Sequence, residues 1–302
     1  MYLALPTERL REELVEWDLE KVAIEPLEPG VSGDVFLLTG RDQRWVAKCA
    51  YQARDEFEPG LRAAAVIATT GLATATVRTT RSGERLRMIE WPPGHHHPLA
   101  VLDFVPGHLL RTKSPEAPAI LGRVCEMVQA RLAQVDANDL GLADRGEEWL
   151  DYLISTDEDL GHFAWLHEVN ATLAARASGA AASLGRPCGV WDGPDVLMET
   201  GTLGLLDFGH VAYQPTINFV ANRLVACALG DEQRRAQFLV AFSRELTLPE
   251  QDLEWLPLFE LVNVAIYAKF AAWRLQNKPD RGIPPDEARQ SVERIARYLI
   301  QR

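Results

Sequence analysis

Cysteine is scarce in this 302-residue chain: Cys49, Cys125, Cys188 and Cys227 lie far apart and form no CxxC pair. That spacing argues against a disulfide framework or a closed zinc site and suits a reducing cytosol, so a cytoplasmic location is expected. Long hydrophobic runs are wanting too. No stretch reads as long enough to span a bilayer, and the first residues lack the charged and apolar regions of a signal peptide, so no membrane partner is expected. Positive charge is in deficit: 31 Lys and Arg stand against 43 Asp and Glu, a net charge of −12. A nucleic-acid partner would want a basic surface, so none is expected. Internal repeats are absent. What remains is an ordinary globular composition, 47% hydrophobic and 25% charged, in a chain long enough for two lobes with a core each.

The apolar periodicity changes character partway along the chain. Residues 7–18 carry Leu10, Leu14 and Trp17 at helical spacing, with Thr7 as a cap. Strand-like runs follow at 22–27, 34–39 and 44–50, then an Ala-rich helix at 57–70, strands at 75–80 and 85–91, and an apolar strand at 99–104. Beyond Gly107 helical patterns dominate, at 115–135, 147–154, 162–184, 217–229, 232–246, 253–275 and 285–301. The expected class is α+β: a small antiparallel sheet with one inserted helix over residues 1–105, and a larger helical part over 106–302 that carries the catalytic and metal-binding loops. His95, His96 and His97 read as a solvated hairpin tip, because adjacent imidazoles rarely converge on one ion without other ligands.

Chemistry concentrates between Arg186 and His210. That stretch reads as a sharp turn, an apolar strand from Val196 to Met198, a tight turn at Gly201, a second strand from Leu203 to Leu206, and then Asp207-Phe208-Gly209. A hairpin with Asp195 before one strand and Asp207 closing the other can hold Mg²⁺ against a nucleotide, since hard cations take one or two carboxylates and complete their shell with phosphate and water. Upstream, Gly30 and Gly33 flank a turn where backbone amides can approach phosphate oxygens, and Ser32 at its tip can donate one more hydrogen bond. Each feature also has a plainer reading: Asp-Gly and Pro-Asp are common turn chemistry, and many hairpins carry two glycines.

The 186–210 segment resembles the catalytic and metal-binding loops of the aminoglycoside phosphotransferase and choline kinase group, relatives of the protein kinases. Their usual text is His-Gly-Asp-x-His-x-x-Asn, a hairpin, and Asp-Phe-Gly or Asp-Trp-Gly. The hairpin and Asp207-Phe208-Gly209 match; the first half does not. Aligned without gaps, the catalytic Asp falls on Val190, the first His on Cys188, the second His on Asp192 and the metal-binding Asn on Asp195. A loop two residues shorter puts Asp192 in the place of the base. The resemblance extends upstream. Trp45-Val46-Ala47-Lys48 resembles the third strand whose lysine pairs with the α and β phosphates. Glu58, with Glu56 close behind, resembles the helix glutamate that holds that lysine. Asp103, Phe104 and Val105 resemble the hinge whose backbone meets the adenine edge.

The resemblance implies a two-lobed protein-kinase-like fold and an ATP- (or GTP-) and Mg²⁺-dependent phosphotransferase acting on a hydroxyl of a small molecule or natural-product precursor. Two other readings stay open. One is a pseudokinase scaffold without phosphoryl transfer, suggested by Val190 and Cys188. The other is a kinase-like subunit that phosphorylates peptide Ser or Thr before a partner lyase eliminates the phosphate.

Overall fold

A computed structural model describes residues 4–27, 33–141, 148–156, 159–184, 188–190, 195–199, 201–208, 211–243 and 248–277, with a few more between 286 and 295. In chain order the elements are α1 (Thr7–Glu13), β1 (Ala23–Pro26), β2 (Gly33–Thr39), β3 (Arg44–Ala50), α2 (Arg54–Ala68), β4 (Ala73–Thr74), β5 (Val77–Arg78), β6 (Arg87–Glu90), β7 (His96–Asp103) and β8 (His108–Leu109). Then come α3 (Ala117–Leu132), α4 (Ala137–Leu140), α5 (Glu148–Ile154), α6 (Leu166–Ala181), β9 (Cys188–Val190), β10 (Asp195–Glu199), β11 (Thr202–Leu206) and β12 (Val211–Tyr213). The last are α7 (Thr216–Ala228), α8 (Glu232–Phe242), α9 (Glu250–Leu253) and α10 (Leu256–Asn277). The antiparallel sheet followed by a mainly helical part is the kinase-like α+β architecture expected.

The chain divides into two compact units. The first holds Met1–Leu109, Asn138–Gly141 and Pro194–His210; the second holds Leu110–Ala137, Leu142–Gly193 and Val211–Arg302. The β10–β11 hairpin therefore belongs to the unit of the sheet, whereas the division read from the sequence assigned it to the helical part.

In the first unit the sheet runs β1-β2-β3-β7-β5, with β6 also on β7, and every pairing is antiparallel. Side chains alternate across a strand, so each face collects its own core. Ala47, Cys49, Leu99 and Val101 join Phe36 and Leu38 on one face, where Leu10, Leu14 and Trp17 of the N-terminal helical segment pack on them. Trp17 is buried, and its indole N–H still finds a partner, donating to the Arg78 carbonyl at 2.9 Å. Ala50, Ala100 and Leu102 face the other way, against Phe57 and Leu61 of α2. Gly33 opens β2 opposite Ala50, where a Cβ would strike the Cys49 carbonyl oxygen and stand 3.1 Å from the Ala50 Cα, so only glycine fits. A second sheet, β4-β11-β10-β8, extends the hairpin on both sides, with β4 parallel to β11.

Two expectations change here. His96 and His97 lie in β7, with His97 opposite Ile89, rather than at a hairpin tip. Burial, together with His95 nearby, holds the His97 imidazole below its usual value although Asp34 pulls the other way, and its ring meets Tyr51 edge-on at 5.5 Å. The helix expected at 57–70 begins at Arg54, because Ala53 is extended and its carbonyl accepts from Glu56 and Phe57 at 3.1 Å.

Among the described residues, the regular elements of the second unit are helices apart from the β9–β12 pair. Gly122 of α3 lets α8 approach until the Phe238 carbonyl leaves no room for a Cβ. α10 corrects the expectation that no apolar run is long enough to span a bilayer: Leu256–Gln276 passes by length and composition, at a mean hydropathy of 1.2. Yet 61% of that window is buried, and it carries buried Glu260, Asn263, Lys269 and Arg274. Those groups suit a core helix of this unit, since a lipid-facing helix would have to leave them without polar partners. The helix expected at 285–301 lies largely outside the described residues.

Candidate active site

Strand alternation decides which side chains meet the functional face. Val46 and Lys48 of β3 point to the α2 side, between strands whose opposite faces are sealed by the N-terminal helical segment. A cleft of about 350 Å³ opens there, within the first unit. Leu27, Val35, Val46, Ala75 and Leu102 give it apolar walls, Leu197 and Leu206 of the hairpin close another side, and Phe57, Gly60, Leu61 and Ala64 of α2 form the back. Against this apolar lining stand a few polar groups: Lys48, Asp103, Asp195 and Asp207. Ligand pockets commonly have this balance, apolar bulk for affinity and few polar groups for orientation.

Lys48 Nζ donates to Asp207 Oδ1 at 2.9 Å, with the lysine side chain 12% exposed and the aspartate 47%. Because the carboxylate is half in water, the pair is worth about 1 kcal/mol or less, so either partner can trade the other for a ligand at little cost. Asp207 also sits at φ 56, in the left-handed region. Aspartate tolerates that conformation better than most residues but still at a cost of about 1–2 kcal/mol, and such outliers gather where a side chain has to be aimed. Asp195 opens β10 opposite Leu206, the residue before Asp207. The two acids therefore occupy the same open end of the hairpin, and both line the cleft.

At the other end of the cleft, β7 finishes at Asp103. The Asp103 amide donates to the Thr76 carbonyl at 2.8 Å, and its carboxylate accepts from the Thr76 hydroxyl. Arg44 lays its guanidinium 3.9 Å from the centre of the Phe104 ring. Val105 is buried over Gly204 of β11, where a Cβ would collide with the valine side chain. Thus residues 103–105 are pinned on three sides while all three line the cleft.

The structure brings Lys48, Asp103, Phe104, Val105, Asp195 and Asp207 to one cavity. Glu58 stands apart. It accepts from Arg62 at 2.8 Å and from Arg54 Nε at 3.1 Å, while the ion pair of Lys48 is with Asp207. Burial pushes the Glu58 carboxyl up, but the hydrogen bonds and charges of the two arginines outweigh it and hold it below the usual range. Gly30, Ser32 and Asp192 lie outside the described residues, and Gly33 serves the close approach of β2 to β3. Cys49, next to Lys48, points to the opposite face, away from the cleft, and burial, with the charge of Asp34, raises its thiol to about 12.

Sequence reasoning missed the back wall of the cleft. Its signal was present: Phe57, Gly60, Leu61 and Ala64 follow the i, i+3, i+4, i+7 spacing of one helical face. It also missed β4 and β8, which are two residues long and carry no periodicity to read.

A family model described as the phosphotransferase enzyme family matches residues 23–259. No curated protein matches the chain significantly by sequence. Among solved structures, a microcompartment-associated aminopropanol kinase aligns at a TM-score of 0.72 and 14% identity, covering 98% of each chain. A spectinomycin phosphotransferase solved with ADP and spectinomycin aligns at 0.66 and 12% identity, covering 99% of this chain and 100% of that one. The choline kinase LicA from Streptococcus pneumoniae aligns at 0.65 and 14% identity, covering 98% and 99%. At such identities these likenesses establish a shared fold.

Proposed function

The chain belongs to the phosphotransferase enzyme family, and from that premise we propose that it transfers the terminal phosphoryl group of ATP or GTP to a hydroxyl of a small molecule or natural-product precursor. One observation carries the reading: a single cleft gathers Lys48, the 103–105 segment, Asp195 and Asp207 from separate stretches of sequence. The apolar walls fit a nucleobase, and the Asp103–Val105 segment offers backbone groups to its edge. The Asp103 amide is already held by Thr76, so the base is read by the Asp103 carbonyl and by groups at 104 and 105.

The donor set fits a hard divalent cation. Asp195 and Asp207 supply carboxylate oxygens from one end of the hairpin. Among the described residues, no three His, Cys, Asp or Glu side chains cluster as a metal cage. This suits Mg²⁺, which keeps waters and takes its other ligands from phosphate. When bound, such a cation neutralises phosphate charge. Lys48 leaves Asp207 to place its ammonium on phosphate oxygens. Positioning and charge neutralisation supply most of the rate in this chemistry.

Asp192 is assigned as the base that accepts the proton of the acceptor hydroxyl as its oxygen bonds to phosphorus and the nucleoside diphosphate departs. In the gap-free alignment the base position falls on Val190, whose side chain cannot accept a proton. Val190 is the last residue of β9, paired with Val211, so the position that alignment gives to the base is a strand position. Asp192 is the first acid beyond it in the four-residue connection to β10.

The test is thermal stabilisation by ATP or GTP with Mg²⁺, followed by turnover against aminoglycosides, choline-like alcohols and Ser/Thr peptides. Absence of any nucleotide-dependent shift sinks the proposal; turnover of the peptides alone moves the acceptor class to peptides.

A further inference from the structure

α2 shows different chemistry on adjacent faces. Phe57, Gly60, Leu61 and Ala64 line the cleft, and their spacing places them on one helical stripe. Arg54, Glu58 and Arg62, at i, i+4 and i+8, form a neighbouring stripe on which Glu58 is gripped at 3.1 and 2.8 Å, with Arg85 at 4.0 Å from the same carboxylate. Consecutive helical residues point about 100° apart, which follows from 3.6 residues per turn. A rotamer change therefore does not carry Glu58 onto the stripe of Phe57; the whole helix would have to roll, and Glu58 would have to abandon its arginines. Among the described cleft residues, α2 contributes no acid at all.

What it does present to Lys48 is an aromatic ring. The ammonium lies 5.7 Å from the centre of Phe57, inside the roughly 6 Å over which a ring face attracts a cation. Lys48 is only 12% exposed, so water competes weakly for that contact. Phe57 itself is buried in the core beneath β3 and β7, which fixes the ring.

We propose that Phe57, and not a helix carboxylate, is the positioning residue that holds the Lys48 ammonium at the phosphate end of the cleft. The inference rests on the nucleotide-binding reading above. A ring face orients the lysine without cancelling its charge. When Lys48 exchanges Asp207 for a phosphate oxygen, it keeps one partner and brings its full positive charge to the nucleotide. A glutamate in that place would orient the lysine equally well but would stand as a second negative charge near the phosphates. The Arg54–Glu58–Arg62 stripe then has another task, stiffening the first turns of α2 so that Phe57 stays aimed.

The experiment replaces Phe57 with a series of phenylalanines carrying more and more ring fluorines and measures ADP–Mg²⁺ affinity by calorimetry, with thermal midpoints recorded to confirm folding. Fluorine drains the ring face of electron density with little change in size. Log affinity should fall stepwise along the series, by about five- to tenfold in all, the range expected for a largely desolvated cation–ring contact. Phe57→Tyr should restore affinity, and Phe57→Leu should resemble the most fluorinated ring. A flat series, while Lys48→Ala still weakens ADP binding, overturns the proposal and leaves Phe57 as packing. So does a loss in Glu58→Gln as large as that in Lys48→Ala, because the helix carboxylate then holds the lysine in the bound state. If Lys48→Ala itself leaves ADP affinity intact, the nucleotide reading of the cleft falls, and this inference with it.

Discussion

Lys48 and Lys269 are the same side chain in two kinds of surroundings. Lys48 lies at the edge of the first unit's cleft and pairs with a half-exposed carboxylate at 2.9 Å. Lys269 lies on α10 in the second unit, fully buried, donating to the carbonyls of Tyr152 and, at 2.7 Å, of Ser155, with the Tyr152 ring 4.6 Å from its ammonium. Those carbonyls belong to the end of α5, where the last turn of a helix leaves oxygens without partners and the helix dipole favours a cation. No ligand replaces a backbone carbonyl, so Lys269 is committed. Asp207, by contrast, can be exchanged. Burial alone would rank Lys269 as the more interesting lysine; whether its partner can be exchanged ranks Lys48 first.

The contrast extends to their neighbours. In the second unit, Asn222 donates to Asn263 at 3.1 Å, Asn263 to Asn218 at 2.9 Å, and Asn218 to Gln214 at 2.9 Å. These buried amides pair with one another and tie α7 to α10, as polar groups deep in a core have to do to be tolerated, although Gln214 Nε2 is left without a partner among the described residues. The cleft keeps its polar groups few and at its margin, where a nucleotide can take over their partners.

The largest effect that would sharpen this division is on turnover. Asp192→Asn should preserve ADP binding and lower the steady-state rate with a true acceptor by about a hundredfold or more, roughly 2.7 kcal/mol of transition-state stabilisation. An unchanged rate removes the base assignment. Next comes Lys269→Met, which strips the end of α5 of its donor. Urea unfolding should show a loss of about 2 kcal/mol, in the range for buried groups deprived of their partner, with ADP affinity unaltered. A large change in ADP affinity there would break the comparison. Lys48→Ala and Asp207→Ala should do the opposite: each weakens nucleotide affinity at least about tenfold, roughly 1.4 kcal/mol, with little change in unfolding free energy.

How much of this was legible in the sequence follows from periodicity and turn chemistry. Short apolar runs bounded by turn residues marked the strands of the first unit, and Gly201 with Asp207-Phe208-Gly209 marked the hairpin; these reappear as β2, β3, β7, β10 and β11. β4 and β8 are too short to show a period, and β9 pairs with β12, residues 211–213, across the whole hairpin, a non-local choice that no local pattern encodes. The α2 register was the costlier miss. Starting the helix at Phe57 made Glu58 a first-turn acid free to reach Lys48. Starting it at Arg54 places an arginine four residues before Glu58 and another four after, and both bind it.

The smallest effect concerns that same glutamate and its response to pH. Arg54 and Arg62 hold the Glu58 carboxyl below its ordinary value in the folded chain, although burial opposes them. Folding therefore favours the ionised form, and the unfolded chain binds the proton more readily. The stability this contributes is complete above the ordinary carboxylate value and fades as pH falls through the lowered folded value, where both states carry the proton. Arginine stays charged throughout, so Glu58 alone sets the window. Thermal midpoints of the native chain and Glu58→Gln should differ at neutral pH, with the variant lower, and converge on acidification. Surface-type pairs contribute well under about 1 kcal/mol each, so the gap should be a few degrees at most. A gap that widens toward acid pH would mean that Glu58 is destabilised by its site, and the arginine stripe could not then be what stiffens α2 behind Phe57.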